Sequence, residues 1–349
     1  MGHTTDLLDD VRHRIAAHDL VLGETRTRLQ LVRDAAISVP GARRTYGSGS
    51  LAQHTVNHPV TDGDGGLVLD RRTYPELGPD GGGETPTEVA GKVCELLGPA
   101  VRQVYPKARC GTSKRGPKVW FGQSLQGQDP TIDLVVALPR RVGSGLWIPN
   151  LEKRTWEASD PERHTDLLNG GPAALRRTRR RVIRLAKAWN KQFAQPGLSS
   201  FNISAIALAS VQPGLGLAEG LQRFFADGAA SLATGRNTPD PAGVSPPLKL
   251  LMPRHSLVLD GRPSQSLPRP IPIVLTEIQS GIRTVIESFR DGSFYRMGLR
   301  PGRYEATIER EVLAPMGLKA DSLSFELAPS RSLEQGAMLS DLRLILRID

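Results

Sequence analysis

The sequence predicts an α+β fold. Three observations carry that expectation: a fully capped amphipathic helix opening at Thr85-Pro86, an alternating apolar strand TIDLVVAL at 131–138, and further alternating segments in the last fifty residues. The chain has 349 residues, enough for two domains or one large elaborated one, and its 39% hydrophobic and 23% charged content is that of a globular protein. The 36 Gly and 27 Pro are clustered, which predicts long ordered loops rather than disorder.

Taken in order, residues 5–37 read as helix, with Leu8, Val11 and Ile15 on one stripe, an interruption at Gly23, and Leu29, Val32 and Ala36 resuming it. The Gly-rich stretch GSGSLAQHTVNHPVTDGDGG spans Gly47 to Gly66 and leads into the apolar Leu67, Val68 and Leu69. Residues 71–86 are a loop. Thr85 then serves as N-cap, Pro86 as first helical residue and Glu88 as the reciprocal cap, ahead of a stripe of Val89, Val93, Leu97, Val101 and Val104 that Pro106 ends. Lys118 to Phe121 is a short strand. In TIDLVVAL, Ile132, Leu134, Val136 and Leu138 share one face, and Asp133, Val135 and Ala137 the other. Helices are expected at 173–195, on the stripe of Leu175, Val182, Ala186, Trp189 and Phe193, then at 200–211, 217–234 and 271–290, with a Pro-rich loop at 238–247. Tyr304, Ala306 and Ile308, then Leu323, Phe325 and Leu327, then Leu342, Leu344, Leu346 and Ile348 alternate as amphipathic strands.

A net charge of +9 and a pI near 9.9 suit a polyanionic partner, or simply keep the chain soluble. Cys94 and Cys110 have no metal spacing, which points to a reducing compartment. No apolar run is long enough to span a membrane, and MGHTTDLLDD lacks the apolar stretch of a signal peptide, so a cytoplasmic protein with no membrane association is expected.

The chemistry concentrates on carboxylates. Asp62 and Asp64 stand at i and i+2, which in a strand puts both on one face, roughly 6–7 Å apart. Such a pair repels unless a cation neutralises it, and Mg²⁺ takes one or two carboxylates together with substrate phosphates. Asp133, an aspartate in an apolar strand, must lie at an exposed strand end or be held by a cation, and is the candidate third ligand of a two-metal site. A calcium loop fails on spacing, because its fifth, sixth and twelfth positions from Asp62 would be Gly66, Leu67 and Thr73. Upstream, Gly49 lets backbone approach a polyphosphate, and the Ser50 hydroxyl can donate to it.

GSLAQHT (49–55), DGD (62–64) and the later strand aspartate of TIDLVVAL together resemble the DNA polymerase β-type nucleotidyltransferases. The spacing is most similar to that of the bacterial CD-NTases, relatives of cyclic GMP-AMP synthase. LWIPN (146–150), Trp156 to Pro161, LAKAWN (185–190), LSSFNI (198–203) and TPDPAGVSPP (238–247) follow in the family's order, so the resemblance runs from about residue 5 to 250. It implies N-terminal helices over 1–40 spanning two lobes, a nucleotidyltransferase palm of mixed sheet and helices over 41–150, a helical lobe over 151–299 and a β-rich segment over 300–349. It further implies that Gly49 and Ser50 hold the donor triphosphate, that Asp62, Asp64 and Asp133 are catalytic and bind two Mg²⁺ (or Mn²⁺), and that Lys187 and Ser200, or equally Ser199, touch triphosphate oxygens. Gly47-Ser48 is a second-ranked phosphate pair. The implied reaction joins nucleoside triphosphates into a cyclic di- or trinucleotide with loss of pyrophosphate. The product acts on a separate effector in anti-phage defence, and the enzyme is a monomer that an activating protein or nucleic acid can switch on.

Two departures stand out: Gly63, Gly65 and Gly66 replace the family's bulky residues, predicting a pliable or bulged strand, and the C-terminal segment is β-rich where the family ends in helices. The basic face of RRTRRR (176–181) reads as solvated for Arg176, Arg177 and Arg180, with a polyphosphate cleft or a nucleic-acid surface as the alternative. His54 and His58 are not ligands, and Trp156 and Trp189 belong to the core. Nucleotide transfer to RNA or protein, and a silent nucleic-acid-binding protein, are the competing functions.

Overall fold

The computed structural model describes residues 2–192, 197–233, 238–248, 255–259, 262–263, 270–288, 292–294, 299–328 and 342–348. The chain divides into two compact units, one of Met1–Ala188, Asn202–Gly228 and Thr238–Leu248, the other of Trp189–Phe201, Ala229–Asn237 and Lys249–Asp349.

In chain order the elements up to residue 233 are α1 (Gly2–Arg14), α2 (Asp19–Ala36), β1 (Ala42–Ser48), α3 (Gly49–Ala52), β2 (Asp62–Leu69), α4 (Pro86–Val104), β3 (Arg109–Ser113), β4 (Gly116–Trp120), β5 (Thr131–Pro139), β6 (Leu146–Asn150), β7 (Thr155–Ser159), α5 (Pro161–Asn169), α6 (Ala173–Lys191), α7 (Ser200–Ser210) and α8 (Leu217–Ala233). The first unit is built on a mixed sheet of order β1-β2-β5-β4-β3, with β6 and β7 continuing from the end of β5. β2 and β5 run parallel, and the other pairs are antiparallel.

The predicted capping box forms: the Thr85 hydroxyl accepts from the Glu88 N–H at 3.3 Å, and the Thr85 N–H donates to Glu88 Oε2 at 2.7 Å. The stripe of α4 and that of α2 lie against one face of the sheet. Leu29, Val32, Val89, Val93, Leu97 and Val101 meet Ile132, Leu134, Val136 and Leu138 of β5 in one buried cluster. The opposite face of β5 contributes Ala137 to a second cluster with Tyr46, Val68, Leu146 and Ile148. The α+β expectation holds, and no helix among the described residues is long and apolar enough to cross a membrane.

Two expectations are corrected. The N-terminal helical region breaks at Ile15–His18, where His18 caps α2, and not at Gly23, which sits inside α2 with open space beside it. A glycine facing open space costs a helix only about 1 kcal/mol, so it need not end one. Residues 271–290 are not helical: the strands Pro272–Glu277 and Arg283–Glu287 form a hairpin there. The reason lies in the periodicity. Ile271, Ile273 and Leu275 are buried at every second position, the run is rich in β-branched residues, and Gly281 takes φ +69° in the turn. Residues 193–195, 234 and 289–290 of the predicted helices lie outside the described residues.

The strands of the second unit are β8 (His255–Leu259), β9 (Arg262–Pro263), β10 (Pro272–Glu277), β11 (Arg283–Glu287), β12 (Ser293–Phe294), β13 (Gly302–Thr307), β14 (Leu318–Ala320), β15 (Leu323–Leu327) and β16 (Arg343–Ile348). They form two sheets, β11-β10-β13-β15 and β12-β8-β16-β14 with β9 beside β8. Ile273, Leu275, Ala306, Leu344 and Leu346 share one core, joined by Leu313 of a short helix α9 (Arg310–Leu313). The alternating stretches expected at the C-terminus are strands.

Candidate active site

The sheet register assembles a polar row across four strands. Parallel pairing places Asp64 of β2 opposite Asp133 of β5, and Asp62 opposite Thr131. On either side, Ser48 of β1 is opposite Asp64, and Lys118 of β4 is opposite Asp133. Asp62, two residues before Asp64, shares its face. Sequence spacing therefore located the three carboxylates, and parallel pairing brings them together.

The electrostatics are those of crowded anions. Burial pushes the Asp64 carboxyl up, and the charges of Asp62 and Asp133 push it further, to about 7, against the opposing pull of Lys187 and Lys118. Asp133 is partly buried and is held by a cation, a lysine: Lys118 Nζ donates to Oδ2 at 2.7 Å, and Ser113 Oγ donates to Oδ1 at 3.0 Å. Sequence reasoning missed both partners. The only trace of Lys118 was a charged residue opening the KVWF strand.

The Gly-Ser turn closes on the same carboxylates. Gly49 takes φ +64°, and a Cβ there would lie 1.9 Å from Asp64 Oδ2, so glycine is required both by conformation and by the approach of the carboxylate. Ser50 follows in α3, and its carbonyl accepts from the Thr55 N–H at 2.9 Å. Thr55 is fully buried, and its hydroxyl accepts from Lys187 Nζ at 3.2 Å, so α6 delivers a buried lysine to the loop that carries the Gly-Ser pair. Ser48, the last residue of β1, is buried beside Asp64 in register, which leaves Gly47-Ser48 next to the site as well. Ser199 and Ser200 lie at the start of α7, in the second unit.

The glycine-rich strand β2 is not bulged: its register with β5 is continuous from Asp62 to Val68, and the irregularity in its pairing with β1 lies at Ala42/Arg44. A Cβ at Gly66 would fall 2.0 Å from the Tyr46 ring, one at Gly65 3.0 Å from Leu29 Cδ1 and the Tyr46 carbonyl, and one at Gly63 2.9 Å from Ile132 Cδ1. The glycines are notches for neighbouring side chains on a strand that is already buried.

Among the described residues no three His, Cys, Asp or Glu side chains converge in the manner of a protein-only metal cage. A Mg²⁺ shared with phosphates does not need one, since one or two carboxylates suffice. Asp62 and Asp64 offer hard oxygen donors, and the raised pKa of Asp64 reflects its burial first and the neighbouring charges of Asp62 and Asp133 second. The residues present fit a divalent cation at Asp62 and Asp64, with Asp133 currently paired to Lys118.

These features define a carboxylate centre on a mixed sheet, adjoined by a Gly-Ser turn and a buried lysine. No protein-family model and no curated protein matches the chain. Among solved structures, the chain is similar to Escherichia coli MS115-1 CdnC with ATP, at 19% identity, covering 64% of this chain and 70% of that one, TM-score 0.45. It is also similar to the Elizabethkingia meningoseptica CdnE cyclic dinucleotide synthase with GTP and Apcpp, at 16% identity, covering 61% and 79%, TM-score 0.47. A third is the Vibrio cholerae DncV cyclic AMP-GMP synthase with nonhydrolyzable GTP, at 17% identity, covering 59% of this chain and 56% of that one, TM-score 0.42. At that distance a likeness fixes neither activity nor ligand, and the chemistry has to come from the side chains of this chain.

Proposed function

We propose that this protein is a Mg²⁺-dependent nucleotidyltransferase of the CD-NTase type that condenses nucleoside triphosphates into a cyclic di- or trinucleotide and releases pyrophosphate. The observation that carries the reading is the register of Asp64 with Asp133, which sets them and Asp62 on one face beside Gly49. The ordered motifs of the sequence support it independently.

Asp62 and Asp64 would hold the divalent cation, and Asp133 would complete the set on exchanging Lys118 for it. Bound there, Mg²⁺ or Mn²⁺ supplies charge neutralisation at the phosphates and acidifies the attacking ribose hydroxyl. The chain's own groups do the positioning. Gly49 admits a phosphate close to backbone, and the Ser50 hydroxyl donates to it. Lys187, held by Thr55, places a positive charge beside the turn. Ser200, or equally Ser199, is the further triphosphate contact that the sequence resemblance implies. The setting implied by the sequence is anti-phage signalling, with a separate effector reading the product and an activating protein or nucleic acid controlling the enzyme.

Incubation of the purified chain with labelled nucleoside triphosphates and Mg²⁺ tests this. A small phosphatase-resistant product that is lost in the Asp62→Asn/Asp64→Asn double variant supports the proposal. Label recovered in RNA or protein instead assigns the same centre to macromolecular transfer, and undiminished product from the double variant refutes the site.

A further inference from the structure

The basic face of α6 is only partly solvated: Arg177 is exposed, whereas Arg176 and Arg180 are half-buried. Arg176, Arg180 and Arg184 recur every four residues, about 6 Å of helix rise apart, with Arg177 and Arg181 in the adjoining row. Together with His54, which takes φ +57° just after α3, they line a cavity of about 360 Å³. All but Arg177 among the five arginines are half-buried.

What holds these guanidinium groups is neutral. Arg176 Nη1 donates to the Gly171 carbonyl at 2.6 Å, Arg180 Nη2 to Asn169 Oδ1 at 2.8 Å, and Arg184 Nε to Asn57 Oδ1 at 3.0 Å. Asn169 is itself fixed, donating to the Ala52 carbonyl at 3.1 Å. Among the described residues none of the five forms an ion pair with a carboxylate. Asp9, whose charge bears on Arg181, is already paired with Arg12. The buried Arg180 Nε has no hydrogen-bond partner. Burial, and then the like charges of Arg176 near Arg180 and of Arg12 near Arg181 and Arg184, disfavour the protonated state of these groups.

These bonds tie α6 to its neighbours, but they leave the positive charges uncompensated. The buried face of α6 is Leu175, Val182, Ile183, Leu185 and Ala186, and the arginines add repulsion to it. Like charges gathered into a concavity, oriented by neutral acceptors and lacking a counter-ion, are the complement of a compact polyanion. At about 360 Å³ the cavity falls in the size range of small-molecule sites, and Arg176 to Arg184 span only about 12 Å of one helix, whereas a nucleic-acid backbone needs an extended track.

We propose that this cavity binds a small linear polyphosphate, free or as the phosphate chain of a nucleotide. It shares no residue with the carboxylate centre and does not depend on that centre's chemistry. His54 adjoins Thr55, so an occupant would lie one residue from the group that holds Lys187.

The test is calorimetric titration of the full chain with inorganic tripolyphosphate in EDTA, which excludes metal-mediated binding at the carboxylates. Expected is saturable binding with a component that is weakened at least ~10-fold in Arg177→Ala/Arg181→Ala, the loss of one or more charge-assisted bonds, and that persists in Asp62→Asn/Asp64→Asn and in Lys187→Ala. The exposed Arg177→Ala single variant, with a smaller loss, serves if the double variant does not fold. The proposal is overturned by an absence of saturation, by equal affinity in the arginine variants, by loss of all binding in Lys187→Ala, or by a single-stranded oligonucleotide that binds where tripolyphosphate does not. Failure to make a cyclic product would leave this measurement unaffected.

Discussion

Lys118 Nζ lies 2.7 Å from Asp133 Oδ2, so the third carboxylate of the centre is occupied by a side-chain ammonium contributed by the neighbouring strand. An ammonium in that place competes with any metal. Lys118→Met is therefore expected to bind Mn²⁺ more tightly, by roughly 5–10-fold for a Coulomb term on the order of 1 kcal/mol, and to melt lower when metal is absent. Mn²⁺ titration followed by electron paramagnetic resonance reads the first effect and a thermal melt the second. Weaker Mn²⁺ binding would show that Lys118 assists the metal instead of displacing it.

The pKa of Asp64 gives a signed prediction for stability. Its folded value of about 7 stands above the ordinary carboxylate value, so the folded state retains a proton that the unfolded state has lost. The stability this contributes is complete below about pH 4 and is lost as pH rises through about 7. Asp64→Asn, neutral at every pH, is expected to melt higher than the parent at about pH 8 by several degrees, and the gap should close between about pH 7 and 4. A set of melting curves across that range decides it.

Gly66 fits against Tyr46, whose ring would be 2.0 Å from an added Cβ and is itself buried. Gly66→Ala is expected to cost ~2–3 kcal/mol by overpacking. Combining it with Tyr46→Ala should cost less than the sum of the two single changes. A urea-unfolding double-mutant cycle measures the coupling, and strict additivity would mean that the strand shifts to make room.

The loop that follows α8 is anchored by charge. Burial raises the Asp240 carboxyl, but the backbone N–H groups of Ser245, Ala242 and Val244, together with His164, outweigh it and hold the group at about 2. His164 Nε2 sits 2.6 Å from Asp240 Oδ1, which ties the loop to α5. With its folded pKa depressed, Asp240 stabilises the protein above about pH 4, and that contribution disappears as pH falls toward about 2. Asp240→Asn is expected to cost ~2 kcal/mol near neutral pH and progressively less in acid, as read by chemical unfolding.

Asp62, Asp64 and Asp133 were legible in the sequence because strand periodicity fixes which residues share a face, and because an aspartate inside an apolar strand demands an explanation. Lys118 was not legible in its role. Its meeting with Asp133 depends on the register of β4 against β5, which spacing along the chain does not encode. The same holds for Gly66, whose reason is a tyrosine on the paired strand. Arg28 is wholly buried, with Asp129 at 2.6 Å and the Phe121 ring 4.6 Å from its guanidinium carbon; Glu24, at 2.9 Å, is its one local partner, and the contacts that bury it lie about a hundred residues away. The helix expected over 271–290 failed for a different reason. Short apolar runs fit both periods, and here β-branching and the Gly281 turn decide for the hairpin. The basic stripe of α6 was legible as charge, but its closure into a cavity required the placement of His54.

The most direct test of the central claim is the yield of phosphatase-resistant product, with pyrophosphate release, from the parent chain and from Asp64→Asn under identical Mg²⁺. The account predicts Mg²⁺-dependent product from the parent and a loss of at least ~100-fold in Asp64→Asn, as expected when a group central to charge stabilisation is removed, even though the variant melts higher. Product formed at the parent rate by Asp64→Asn, or formed by the parent without a divalent cation, would contradict it.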